Sequence, residues 1–232
     1  MTRPDLPAEP AGRRLLDPLP LAVSRPLVLL RLGYRSAVQV PEKTSRLLDE
    51  EIAACAPLLQ GRAVAAPFPI ERDAEALIVG SRLRSAGRTL RGRLEGCRTA
   101  WLFAATIGDA VERRASSLSE RGEMTRSLLA DAYGSAAAIA AGLALEEEIA
   151  RACVPLGLVA TKRTAPGYGD FELEAQRPLV DLLQAGAIGV TLTDDFLMLP
   201  AKSVSGVVGA RDPQAVLQAG ADEAGDPMTA AG

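Results

Sequence analysis

Between residues 41 and 59, Leu47, Leu48, Ile52, Cys55, Leu58 and Leu59 recur at helical spacing with charge between them, and Gly61 supplies a stop. This pattern predicts an amphipathic helix. Residues 63–70 and 76–79 are short apolar runs that read as strands, and residues 81–94 return to a helical reading closed by Gly96. Residues 99–106, TAWLFAAT, have no polar face, which predicts a strand buried on both sides. Ile107 and Gly108 then turn the chain into another helix. Residues 123–153 form the longest helical segment. Its middle, SAAAIAAGLAL, allows neighbouring elements to approach closely, and Gly134 and Gly142 are weak breaks in it.

After Gly157 a short strand at 158–160 leads into TKRTAPGYGD, a helix over 172–183, and strands at 189–193, 196–199 and 203–208. Helices and strands do not alternate strictly, so a doubly wound sheet is not required. The predicted fold is a single α+β domain with a twisted, largely antiparallel sheet and several packed helices. Pro4, Pro7, Pro10 and Pro18 mark residues 1–18 as a poorly ordered leader, because proline removes backbone donors. Residues 19–211 are the expected domain and 212–232 a flexible tail.

Composition narrows the function. The 232 residues are 24% charged and 48% hydrophobic, enough for a proper core, and a net charge of -3 gives no drive toward nucleic acid or an anionic membrane. Residues 19–32 are broken by Arg25, Pro26 and Arg31 and are too short for a bilayer core of roughly 30 Å. The long helix is interrupted by Arg126, Asp131 and the run 146–148, which argues against a membrane span. Without a secretory pattern at the start, the expectation is a cytoplasmic protein. Cys55, Cys97 and Cys153 are widely spaced and read as reduced, buried thiols. The chain has no histidine, which removes the commonest general base and the commonest metal ligand. Neither a metal site nor a catalytic acid or base is expected.

The segment with the most chemistry is 163–170, RTAPGYGD, followed by Gln176 and then IGVTLTDDFLMLPAKSVSGVVG at 188–209. Pro166 and Gly167 signal a tight turn that brings backbone close to a ligand. Arg163 can pair with a carboxylate through two nitrogens, and Tyr168 can offer an aromatic face to a cation. Taken singly, each is equally an ordinary turn, a surface arginine and a packed tyrosine. Their combination, R-x-x-P-G-Y-G-D, then I-G-V-x-L-T, then M-x-P-x-K-S-V-S-G, resembles the activation domain of cobalamin-dependent methionine synthase. Weaker similarity extends through LLRLGYR at 29–35, LEGCRTAWLFAATIG at 94–108 and the helix bearing Asp131, in the manner of free-standing relatives of that domain.

The resemblance implies that S-adenosylmethionine is the ligand and methyl donor. It implies that Arg163 holds the carboxylate, that Gly167 approaches the nucleotide through its backbone, and that Tyr168 lies beside the ligand, with Ala165 offering backbone groups. Lys202, Ser203 and Ser205 are candidate lining residues. Asp131 and the run 146–148 are candidates for the ligand's amino group, or solvated helix charges. Cobalamin would be held only by a partner, since the D-x-H-x-x-G cobalt-binding pattern requires a histidine. That partner would be a corrinoid methyltransferase, such as a methionine synthase lacking its own activation domain, served by a reductant such as flavodoxin or ferredoxin. A module that senses S-adenosylmethionine without methyl transfer is the alternative. A self-sufficient methyltransferase is disfavoured by the lack of a G-x-G-x-G loop after a first strand. Arg82, Arg84, Arg88, Arg91 and Arg93 read as a basic helix face, either solvated or a dock for an acidic partner.

Overall fold

The computed structural model describes residues 12–34 and 40–214. Its centre is β5 (Cys97–Thr106), the apolar run expected to be buried on both faces. Alternation divides it cleanly. Trp101, Phe103 and Ala105 enter one apolar cluster, and Ala100, Leu102 and Ala104 enter the other. Antiparallel partners flank it: β2 (Arg62–Arg72) pairs Ala65 with Phe103, and β9 (Ser203–Arg211) pairs Gly206 with the same residue. A Cβ at Gly206 would stand 2.6 Å from the Phe103 ring, so only glycine lets that ring sit across the strand.

The outer edge of β2 is shared by β1 (Arg14–Leu16), opposite residues 63–65, and β3 (Leu77–Val79), opposite residues 70–72. Pro67 and Pro69 fall between these two partners, where a missing backbone donor costs least. With β4 (Leu83–Ser85) beyond β3 and β6 (Val159–Ala160) beyond β9, the sheet runs β4-β3-β2-β5-β9-β6, and every pairing is antiparallel. A second, two-stranded sheet joins β7 (Thr191–Leu192) to β8 (Met198–Leu199).

One face of the sheet is covered by α1 (Arg25–Arg31), α2 (Glu42–Cys55), α4 (Ala110–Glu120) and the 30-residue α5 (Met124–Cys153). Ala136, Ala137, Ala140, Ala141 and Gly142 of α5 are buried, so the helix is the core element expected from its small side chains. It is long and apolar enough by composition to cross a membrane, yet most of that stretch is buried inside the protein. The other face carries α3 (Arg88–Arg93) and α6 (Gln176–Leu183), which pack with the β3–β4 hairpin.

Two expectations need correction. Residues 81–94 are not one helix: left-handed Gly80 and Ser81 make a turn, and Leu83, Arg84 and Ser85 alternate buried, exposed, buried as β4. The arginines therefore do not share a helix face, and Arg84 instead pairs with Asp73 at 2.7 Å. The proposed leader also reaches too far, because Arg14–Leu16 pair with β2; residues 1–11 lie outside the described residues, as do 215–232 of the proposed tail. Cys55, Cys97 and Cys153 are free and buried, as expected. Burial pushes the Cys55 thiol up to about 11 and also raises Cys97 and Cys153, so all three are protonated near neutrality.

Candidate functional site

β9 loses its outer neighbour as it is followed back from its C-terminal end. β6 pairs only with Ala210 and Arg211, and Thr164 bridges to Val207 through two backbone hydrogen bonds of 3.0 and 2.8 Å. Beyond that bridge the 163–170 turn and the β7–β8 hairpin stand apart, and a cavity of about 710 Å³ opens beside Ser203, Val204 and Ser205. Arg163, Ala165, Pro166, Tyr168 and Gly169 form one wall, and Phe196, Leu197 and Met198 another. Ile139 of α5, Thr89 and Arg93 of α3, Gln176 at the start of α6, and Thr164, Leu173 and Ala201 complete it.

The turn is fixed mostly by its own backbone. Gly167 has a φ of +88°, which favours glycine, and its amide donates to the Phe171 carbonyl at 2.8 Å, while the Tyr168 amide donates to Ala165 at 3.2 Å. Asp170 anchors the turn from outside. Its carboxylate accepts the backbone N–H groups of Arg88 and Thr89, each at 2.8 Å, and so satisfies the first donors of α3. The Thr89 hydroxyl, with these two amides, holds the Asp170 carboxyl down at about 2. No sequence signal linked residue 170 to residue 88.

Arg163 lies against α5. Its Nε is 2.8 Å from Glu146 Oε1, and the two side chains are 28% and 26% exposed. Glu146 pairs with the Nε edge of the guanidinium, and its terminal nitrogens carry no ion pair among the described residues. Tyr168 stands at the cavity rim, 68% exposed, with its ring available. Deeper in, Ser205 Oγ donates to Gln176 Oε1 at 3.1 Å, and both residues are buried. Ser203 donates to the Pro200 carbonyl at 2.6 Å. The hairpin tip is held by Arg177, which lies 5.4 Å from the Phe196 ring centroid and donates to the Thr193 carbonyl at 3.3 Å.

Of the residues expected from sequence, the structure thus gathers Arg163, Ala165, Tyr168, Ser203 and Ser205 around one cavity. Gly167 shapes the turn without lining the cavity. Lys202 also lies outside the lining: its Nζ is 2.7 Å from Asp131 Oδ1 and donates to Ser135 Oγ at 2.9 Å. Asp131 is therefore engaged in tying α5 to the start of β9. Ile139, Thr89, Arg93 and Leu173 were not legible as site residues, because only the fold brings them to the turn, while residues 196–198 lay within the 188–209 block without an assigned role.

The description "Vitamin B12 dependent methionine synthase, activation domain" matches residues 98–221, more than half of the chain. The chain belongs to this family. The activation-domain match spans both the 163–170 turn and β9, which together make much of the cavity wall. Among solved structures, the chain is similar to a crystal structure of the MetH reactivation domain bound to AdoHcy, with a TM-score of 0.65 and 16% identity over 88% of this chain and 80% of that one. At that identity the likeness speaks for the activation-domain fold. No curated protein sequence matches the chain.

Proposed function

We propose that this activation domain binds S-adenosylmethionine in the cavity beside β9 and supports reductive methylation of cobalamin held by a partner corrinoid protein. The observation that carries the reading is Arg163, held at its Nε edge by Glu146 and lining a cavity of about 710 Å³, within the size range of small-molecule sites. A carboxylate, a sulfonium and a nucleoside ask for a fixed cation, an aromatic face and a partly apolar cleft with a few polar groups. Arg163, Tyr168, and the cleft bearing Gln176 and Ser205 match those needs. A charged hydrogen bond at Arg163 contributes about 1.5 to 3 kcal/mol. The backbone of Ala165 is the natural contact from the turn, with Gly167 fixing the turn's shape. The solved MetH reactivation domain, a structure with AdoHcy bound, supports the ligand class.

The bound donor supplies an electrophilic methyl group on sulfur. The chain's own part is binding and orientation: it brings that methyl to an acceptor on a second protein, and the approach is worth much of the acceleration. Membership of the family supports a corrinoid partner. We assign electron supply to a separate low-potential reductant such as flavodoxin or ferredoxin.

The test is spectroscopic. An inactive cob(II)alamin protein, a low-potential reductant, S-adenosylmethionine and this domain should together give the visible spectrum of methylcobalamin, and omission of the domain should abolish it. With an independently established partner, formation no faster than in that control would defeat the reading.

A further inference from the structure

We propose that Gly142 and Glu146, one turn apart on α5, form a seat that presents the Arg163 guanidinium to a ligand carboxylate, and so set selectivity for ligands with an amino-acid end. This rests on the S-adenosylmethionine reading above and adds two positioning residues from an element outside the motif segments. A Cβ at Gly142 would stand 2.5 Å from Arg163 Nη1 and 3.3 Å from its Cζ, so the guanidinium lies on bare helix backbone. Glu146 fixes the Nε edge at 2.8 Å. The Val204 methyl would lie 3.6 Å from the same added Cβ, an ordinary contact that leaves Arg163 as the group in the way.

Glycine is disfavoured in a helix interior, and residue 142 is surrounded by alanines that would fit the helix better. Its helix backbone needs no glycine conformation. The missing side chain is explained by the space that Arg163 occupies. Arginine is rotamer-rich, and a seat that orders it before binding removes that cost from the binding step.

The consequence is an unusual pairing of effects. The only close contact of an added Cβ is the far end of a flexible side chain, so Gly142→Ala leaves the core intact, improves helix propensity and displaces Arg163. Thermal stability should be unchanged or raised while affinity for S-adenosylmethionine falls about tenfold or more. Glu146→Ala should weaken binding by about tenfold and Glu146→Gln by less, because the amide keeps the side chain's length and a polar oxygen beside Nε while giving up the charge. A probe lacking the amino-acid end, 5′-methylthioadenosine, should bind the wild-type protein more weakly and be insensitive to all three substitutions.

Calorimetric titration of wild type and the three variants with both ligands decides the matter. Wild-type affinity for S-adenosylmethionine in Gly142→Ala overturns the seat, as does equal weakening toward both ligands or equal loss in Glu146→Ala and Glu146→Gln. Binding of 5′-methylthioadenosine to wild type as tight as that of S-adenosylmethionine overturns it too. Failure of the wild-type protein to bind S-adenosylmethionine at millimolar ligand is a different result, since it removes the function proposed above and the seat with it.

Discussion

Two glutamate–arginine centres sit on the long helix α5 and are built to different ends. In the first, fully buried Glu51 of α2 is bracketed by Arg114 of α4 at 2.7 Å and Arg126 of α5 at 2.5 Å. In the second, Glu146 meets only Arg163 among the described residues, and both are about a quarter exposed. The first centre is saturated: both carboxylate oxygens are used, and Arg126 reaches Glu50 as well. It joins α2, α4 and α5 and has little left to offer a ligand. The second leaves arginine donors to spare beside a cavity. Charge alone does not mark a site; unspent hydrogen-bonding capacity facing open space does.

The largest effect that separates the two should come from Glu51→Ala. Glu51 is fully buried, but its two arginines are each 29% exposed and Arg126 keeps Glu50, so the expected loss in denaturant unfolding is about 3 kcal/mol, the low end for breaking a buried pair. Affinity for S-adenosylmethionine in the folded fraction should not change. Arg163→Ala should show the reverse, with affinity down about ten- to a hundredfold from the loss of about 1.5 to 3 kcal/mol, and unfolding nearly unmoved because Glu146 is already partly hydrated. If Arg163→Ala destabilises the protein as much as Glu51→Ala, the distinction collapses.

Smaller effects sharpen the picture around the turn. Tyr168→Ala should slow methylation of the partner's cobalamin more than it weakens binding, with a loss of about 0.5 to 2 kcal/mol if the ring faces the sulfonium, and Tyr168→Phe should keep most activity. Initial rates beside calorimetric affinities separate the two quantities. Asp170 provides a pH signature. Its carboxyl is held at about 2 against an ordinary 3.8, so its stabilisation of the turn is complete above about pH 4 and disappears as pH falls toward about 2. Asp73, also lowered to about 2, titrates in the same window. Melting temperatures across it should therefore fall less steeply in Asp170→Asn than in wild type. Equal slopes would show that Asp170 does not clamp the turn to α3.

What could be read from the chain alone follows physical lines. β5 was legible because burial on both faces leaves TAWLFAAT without a charged position and with polar groups only in its terminal threonines, and α5 because its small residues keep helical continuity over 30 positions. The turn was legible because proline, glycine, arginine and tyrosine together are specific where each alone is not. β4 was hidden, since three residues with one arginine are too short to show a period of two within a basic stretch. Lys202 looked like a neighbour of Ser203 and Ser205, but its long chain passes Gly134 to reach Asp131. The roles of Ile139 and Gly142 depend on long-range packing, which no local pattern encodes, whereas Gln176 stood in the motif and gained its partner, Ser205, only from the fold.

The most direct test of the central claim is a crystal structure of the protein grown with S-adenosylmethionine. The ligand should occupy the cavity between β9 and the 163–170 turn, with its carboxylate bonded to the Arg163 guanidinium and Glu146 still on the Nε edge. Ligand bound elsewhere on the protein, or bound in this cavity with its carboxylate turned away from Arg163, would contradict the account.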